Sequence, residues 1–128
     1  MATRSLIGIK LNDNITKIIY CHWDGYPEGV GLTLANNYTS PTSVTALMEL
    51  GDLSTLEGTL DKCKAYHRDR NEPWGMVEPR DIASDELASV MSEYDAEYAY
   101  IYNDEFEWDC FPRTGTQIDI LSGKVALN

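Results

Sequence analysis

Two pairs of strand-like runs, one near each end of the chain, limit this sequence more than any other feature. In residues 5–11, Ser5, Ile7, Ile9 and Leu11 recur at period two, and residues 15–21 are rich in β-branched side chains. Between these runs stands Asn12-Asp13-Asn14, residues that tolerate left-handed backbone and hydrogen-bond locally in turns. A period of two puts successive side chains on opposite faces, which a helix cannot do. Residues 97–102 and 105–111 repeat the arrangement around Asn103-Asp104, a weaker hairpin signal than Asn-Gly. A last strand is expected at 117–121.

The middle reads as helical. Val30, Leu34 and Tyr38 fall at i, i+4 and i+8, a short helix. Ser40-Pro41 supplies an N-cap and a first-turn proline, Val44, Leu47 and Met48 form a stripe, and Gly51 supplies the stop. A further helix is expected through Leu60, Cys63 and His67, then a loop over 68–79. Ser84-Asp85-Glu86 opens another helix through Leu87, Val90, Met91 and Tyr94, with acids suited to its N-terminal dipole. This order predicts an α+β fold: an antiparallel sheet of the N-terminal and C-terminal strand pairs, with helices packed on one face. Ile7, Ile9, Ile18, Leu34, Leu47, Ile101 and Trp108 are its expected core.

A chain of 128 residues, 43% hydrophobic, fits one globular domain over 1–128. No apolar run approaches the roughly 18 residues a membrane helix needs, and the N-terminus lacks the apolar stretch of a signal peptide. Three cysteines, an odd and sparse set, predict free thiols in a reducing compartment.

The formal net charge is −11. That argues against direct nucleic-acid binding, which needs clustered Lys and Arg, and favours a basic partner. Between Asp81 and Asp109 lie ten acids and no Lys, Arg or His, whereas Lys62, Lys64, Arg68, Arg70 and Arg80 cluster just before. With a two-residue turn at Asn103-Asp104, Tyr100 and Tyr102 share a face with Glu105 and Glu107. Ala99, Ile101, Phe106 and Trp108 then share the other, core face. Tyr100, Tyr102, Glu105, Glu107 and Asp109 are therefore the expected partner-binding residues. Such a face could also imitate the charge of a nucleic acid, or be a solvated acidic surface.

The densest segment is 20–31, which joins a strand to a helix. His22, Trp23 and Tyr26 offer flat faces for stacking, Asp24 and Glu28 could orient a hydroxyl or amine, and Gly25 allows close backbone approach. These six are the expected ligand-binding residues. The alternative is that Asp24-Gly25 and Pro27 are turn chemistry and the aromatics seal the core. The spacing matches no phosphate-loop or dinucleotide fingerprint, and no Gly-x-Ser-x-Gly or His-Glu-x-x-His occurs. Cys63 and His67 have i, i+4 spacing, but no second pair completes a tetrahedral metal site. No catalytic residue, metal or cofactor is expected, and the chain reads as a binding protein rather than an enzyme. A small hydrolase using His22, Asp24 and Glu28 is the remaining enzymatic alternative.

The opening Met1-Ala2-Thr3-Arg4-Ser5, the motif Ile19-Tyr20-Cys21-His22-Trp23-Asp24-Gly25-Tyr26-Pro27-Glu28-Gly29-Val30-Gly31 and Leu50-Gly51-Asp52-Leu53-Ser54 resemble a family of small proteins of tailed bacteriophages, prophages and some bacteria. The resemblance covers roughly the first sixty residues and carries over no catalytic residue. It implies a phage accessory protein acting in the host bacterial cytoplasm, with counter-defence as one role by analogy. Two binding functions then stand beside the hydrolase. One is inhibition of a basic host protein through the acidic, Tyr-rich surface. The other is sequestration of a nucleotide-like small molecule by loop 22–31.

Overall fold

The computed structural model describes residues 2–113. Its seven strands are β1 (Ser5–Lys10), β2 (Ile15–Cys21), β3 (Leu53–Thr55), β4 (Lys64–Ala65), β5 (Arg80–Ala83), β6 (Tyr98–Tyr102) and β7 (Trp108–Pro112). The helices are α1 (Leu32–Asn37), preceded by a π-helical turn at Pro27–Gly31, then α2 (Pro41–Met48), α3 (Tyr66–Arg70), α4 (Trp74–Val77) and α5 (Leu87–Tyr94). The fold is thus α+β, but the sheet is mixed. The order β4-β3-β2-β1-β6-β7 contains antiparallel pairs, yet β1 runs parallel to β6 and β2 parallel to β3. The expected strand at 117–121 lies outside the described residues. Among the described residues, no helix is long and apolar enough to cross a membrane.

Strand β2 has two partners on its outer edge. Ile15–Ile18 pair with β5, while Cys21 pairs with Leu53 of β3. The backbone bonds His22 N–H to Leu53 O (3.0 Å) and Trp23 N–H to Ser54 O (3.1 Å) continue the second pairing. Between the two partners, Tyr20 N–H finds the carboxylate of Asp52 at 2.9 Å.

The helices divide between both faces of the sheet, where the sequence suggested one. Leu6 and Ile7 are neighbours on β1 and point opposite ways. Ile7 packs with Ile19, Leu34 of α1 and Val44, Leu47 and Met48 of α2. Leu6 packs with Ile18, Ile82 and Val90 and Met91 of α5. Of the expected core, Ile7, Ile18, Leu34, Leu47, Ile101 and Trp108 are buried and Ile9 partly so, but they serve two clusters. Ser40 caps α2 in a reciprocal box with Ser43, and Gly51 sits at φ 75° where an added Cβ would meet Val77 O at 2.5 Å. The helix expected through Cys63 does not form: β4 follows Cys63 directly, and α3 and α4 occupy part of the expected loop.

The C-terminal hairpin overturns the partner face. Its connection is five residues, 103–107, so Tyr102 pairs with Trp108 and Tyr100 with Cys110. The expected turn would have paired Tyr102 with Glu105, and a shift of three residues exchanges the two faces. Asn103 makes the longer loop: its Oδ1 accepts from Glu105 N–H (2.8 Å) and Glu107 N–H (3.1 Å), while Phe106 adopts φ 63°. Tyr100 and Tyr102 are therefore 0% and 2% exposed, Asp109 is buried, and Phe106 is 64% exposed. Glu105 and Glu107 remain on the surface without the tyrosines. The acidic run is also divided, because Asp81 pairs with Lys17, Glu93 with Arg80, and Asp95 with Arg4 and Arg113.

Cys21, Cys63 and Cys110 are buried and free, and burial pushes the thiols of Cys21 and Cys110 up to about 12 and about 11. Thiol titration of the native protein at neutral pH should be slow, and titration in denaturant without reductant should count three. A count of one would contradict the fold.

Candidate functional site

Helix α5 covers only part of its face of the sheet. It ends at Tyr94, where Asp95 turns left-handed at φ 57°. Tyr94 stacks on Tyr20 of β2 with ring centroids 5.5 Å apart. Beyond that stack the same face continues as polar and aromatic side chains. His22 follows Tyr20 at period two, and Ser54 flanks it from β3 beside Leu53, which faces the other core.

The hydroxyl of Tyr20 lies 2.7 Å from His22 Nδ1, and the imidazole packs edge-on against the Trp23 indole at 4.7 Å. From α3, the Arg70 guanidinium lies over the Tyr66 ring at 5.3 Å and donates to Ser54 Oγ at 3.4 Å. Tyr66 and Arg70 are i, i+4 on one helix, which puts the cation over the ring. Arg4 enters from the residue before β1 and is held from outside by Asp95 at 2.9 Å. That ion pair is exposed, so it contributes less than about 1 kcal/mol and yields readily to a better anion.

The electrostatics follow from this company. Partial burial, then the charges of Arg4 and Arg70, hold the His22 imidazole below its usual pKa, so it is neutral at pH 7. Burial keeps the Tyr20 phenol protonated. In the tautomer in which that phenol donates to Nδ1, the imidazole proton sits on Nε2 and is available as a donor. The site therefore presents two guanidinium groups, an imidazole N–H, the hydroxyls of Tyr20 and Tyr66, and the indole of Trp23, which is 43% exposed, with the buried Ser54 hydroxyl beneath Arg70. Donors and cations dominate it, on a chain of net charge −11.

Asp52 underlies the site. Its N–H donates to Val77 O (2.8 Å), its carbonyl accepts from Tyr66 N–H (3.1 Å), and its carboxylate holds Tyr20. One residue thus positions both tyrosines. Burial pushes its carboxyl up to about 6, against the opposing Tyr20 N–H bond.

Of the six expected ligand residues, His22 and Trp23 belong to this site. Gly25 does not: its N–H donates to Thr3 O (2.8 Å), its carbonyl accepts from the buried Tyr100 hydroxyl (2.7 Å), and an added Cβ would meet Thr3 O at 2.7 Å. Asp24 forms the turn at φ 58°, with its carbonyl accepting from Val30 N–H and its carboxylate from the Tyr26 hydroxyl at 3.2 Å. Glu28 lies in the following π-helical turn. Gly25 is thus a buried pivot, while Asp24, Tyr26 and Glu28 stand exposed on the turn that follows His22 and Trp23. Arg4, Tyr20, Ser54, Tyr66 and Arg70 were not foreseen. The available signals were the Tyr20–His22 spacing along one strand face and the Tyr66–Arg70 spacing along one helix. No group of His, Cys, Asp and Glu that could hold a metal occurs among the described residues. No protein-family model, curated protein or solved structure matches the chain.

Two outcomes are expected. Tyr100→Phe should cost about 1–3 kcal/mol in denaturant unfolding, because Gly25 O is left buried without its donor. For Asp52, the folded chain holds the proton more tightly than the unfolded one. Its contribution is greatest below about pH 4, the ordinary carboxyl range, and is lost as pH rises through about 6. The stability of wild type relative to Asp52→Asn should accordingly fall between pH 4 and pH 7. A difference that stays constant or grows would refute the buried carboxyl.

Proposed function

We propose that this protein is a binding protein for a small anionic, nucleotide-like molecule, held on the face formed by Arg4, Tyr20, His22, Trp23, Ser54, Tyr66 and Arg70. The observation that carries the reading is the convergence of Arg4, Arg70 and His22 around three hydroxyls on an otherwise strongly acidic chain. Guanidinium groups match phosphate geometry with two parallel donors. The exposed Trp23 indole supplies a stacking surface for a base, which is worth about 1–3 kcal/mol in comparable sites. Nothing in the cluster resembles an activated nucleophile, and of the expected acid–base group only His22 belongs to it, the Asp24 carboxylate being engaged by the Tyr26 hydroxyl in the turn. Binding is therefore favoured over hydrolysis.

The resemblance to phage proteins gives such a binder a role: sequestration of a nucleotide-like signal in the host cytoplasm, as a counter-defence device. Inhibition of a basic host protein through the C-terminal hairpin is less well supported, because Tyr100, Tyr102 and Asp109 are buried and the exposed acids Glu97, Asp104, Glu105 and Glu107 stand without them.

Isothermal titration with adenosine 5′-monophosphate tests the reading. Arg4→Ala and Arg70→Ala should each weaken binding about tenfold or more, as loss of a charged hydrogen bond does. Trp23→Ala should weaken the nucleotide but not inorganic phosphate, with an unchanged melting transition because the indole is largely outside the core. Glu105→Lys with Glu107→Lys should leave affinity within about twofold. Absence of nucleotide binding by wild type, or loss that appears only in variants that unfold, would overturn the proposal.

A further inference from the structure

A second opening lies on the other face of the sheet, beyond the end of α2. It is a half-open cleft of about 550 Å³, within the range of small-ligand sites. Ile9 and Met48 form its apolar floor, and Leu11 and Trp74 form its rim. Leu11 and Trp74 are 47% and 39% exposed. Two of the six large exposed apolar side chains among the described residues thus stand at this one opening.

Two carboxylates belong to its lining. Glu49 stands at the end of α2, and Glu78 follows α4, with its Oε2 lying 3.8 Å from where a Cβ on Gly75 would be. The one cation of the lining, Lys17, has its ammonium drawn to Asp81 at 3.7 Å. Trp74 is fixed in place: it packs edge-on against His67 at 5.2 Å, and its ring edge lies against the bare Cα of Gly51.

We infer that this cleft binds an ammonium group carried on an aliphatic stem. The stem lies along Ile9, Leu11 and Met48, and the ammonium sits between Glu49 and Glu78 within reach of the Trp74 ring. An indole face and a pair of carboxylates both favour a cation. The net charge of −11 raises the local concentration of cations around the whole chain. An aliphatic ammonium is found both in free alkylamines and in lysine side chains, and the cleft recognises the chemistry they share. The inference does not rest on the nucleotide reading, which concerns different residues on the opposite face.

The experiment is a titration of the full chain followed by amide and indole proton–nitrogen NMR. The probes are n-hexylamine, Nα-acetyl-lysine N-methylamide, hexanoate and n-hexanol. Hexylamine or the lysine amide should shift Leu11, Glu49 and the Trp74 indole N–H, and the tighter of the two identifies the source. Hexanoate should leave those signals in place. Glu49→Gln with Glu78→Gln should weaken amine binding about tenfold or more while the melting transition stays cooperative, since both side chains are exposed. Equal binding of hexanol and hexylamine, or no shift with any amine, would overturn the inference.

Discussion

The outer edge of β2 cannot be completed by one strand, and the rest of the molecule is arranged around that fact. β5 takes its first half and β3 its end, and the two arrive from different parts of the chain in opposite directions. The Tyr20 N–H left between them would be an unpaired buried donor, which costs about 1–3 kcal/mol. The Asp52 carboxylate fills the gap, and the same residue binds the backbone of Tyr66 and Val77. A carboxyl held there titrates above its usual range because the environment that needs it is also poorly hydrated.

That arrangement explains why the proposed binding face exists at all. β3 extends the sheet past the point where α5 stops, so one end of the face carries no helix. Tyr20 and His22 stay half in solvent there, above the buried Ser54 and beside Tyr66 and Arg70 of α3. The opposite face is sealed by residues 24–38, pinned through Gly25 to Thr3 and to the Tyr100 hydroxyl. Residues 19–31 therefore have two parts. Their beginning forms the edge of an open site, and their remainder closes the core behind it.

Much of this was legible in the sequence where the signal is local. Strands β1 and β2, the Ser40 cap of α2, the Gly51 stop and the helix at Leu87–Tyr94 all follow from spacing and capping chemistry. What was not legible depends on distant partners. β3 and β5 are three and four residues long, too short to show a period. The parallel pairing of β1 with β6 has no local signature. The Asn103 loop differs from a two-residue turn by a side-chain bond that residue types do not announce, and that single difference reversed the faces of β7. Arg4, Tyr20, Ser54 and Arg70 come from four separate segments, so their meeting is a tertiary fact. A charge run along the sequence likewise dissolved into ion pairs once β5, α5 and β6 were placed.

The central claim is that the uncovered end of the α5 face, not the acidic hairpin, is where this protein meets its ligand. Titration of the isotopically labelled chain with adenosine 5′-monophosphate, read residue by residue by NMR, tests it most directly. The account predicts saturable shifts confined to Arg4, Tyr20, His22, the Trp23 indole N–H, Ser54, Tyr66 and Arg70, with the signals of Glu105 and Glu107 unmoved. Saturable shifts centred on residues 103–107, or none at the Arg4 and Arg70 side chains, would contradict it.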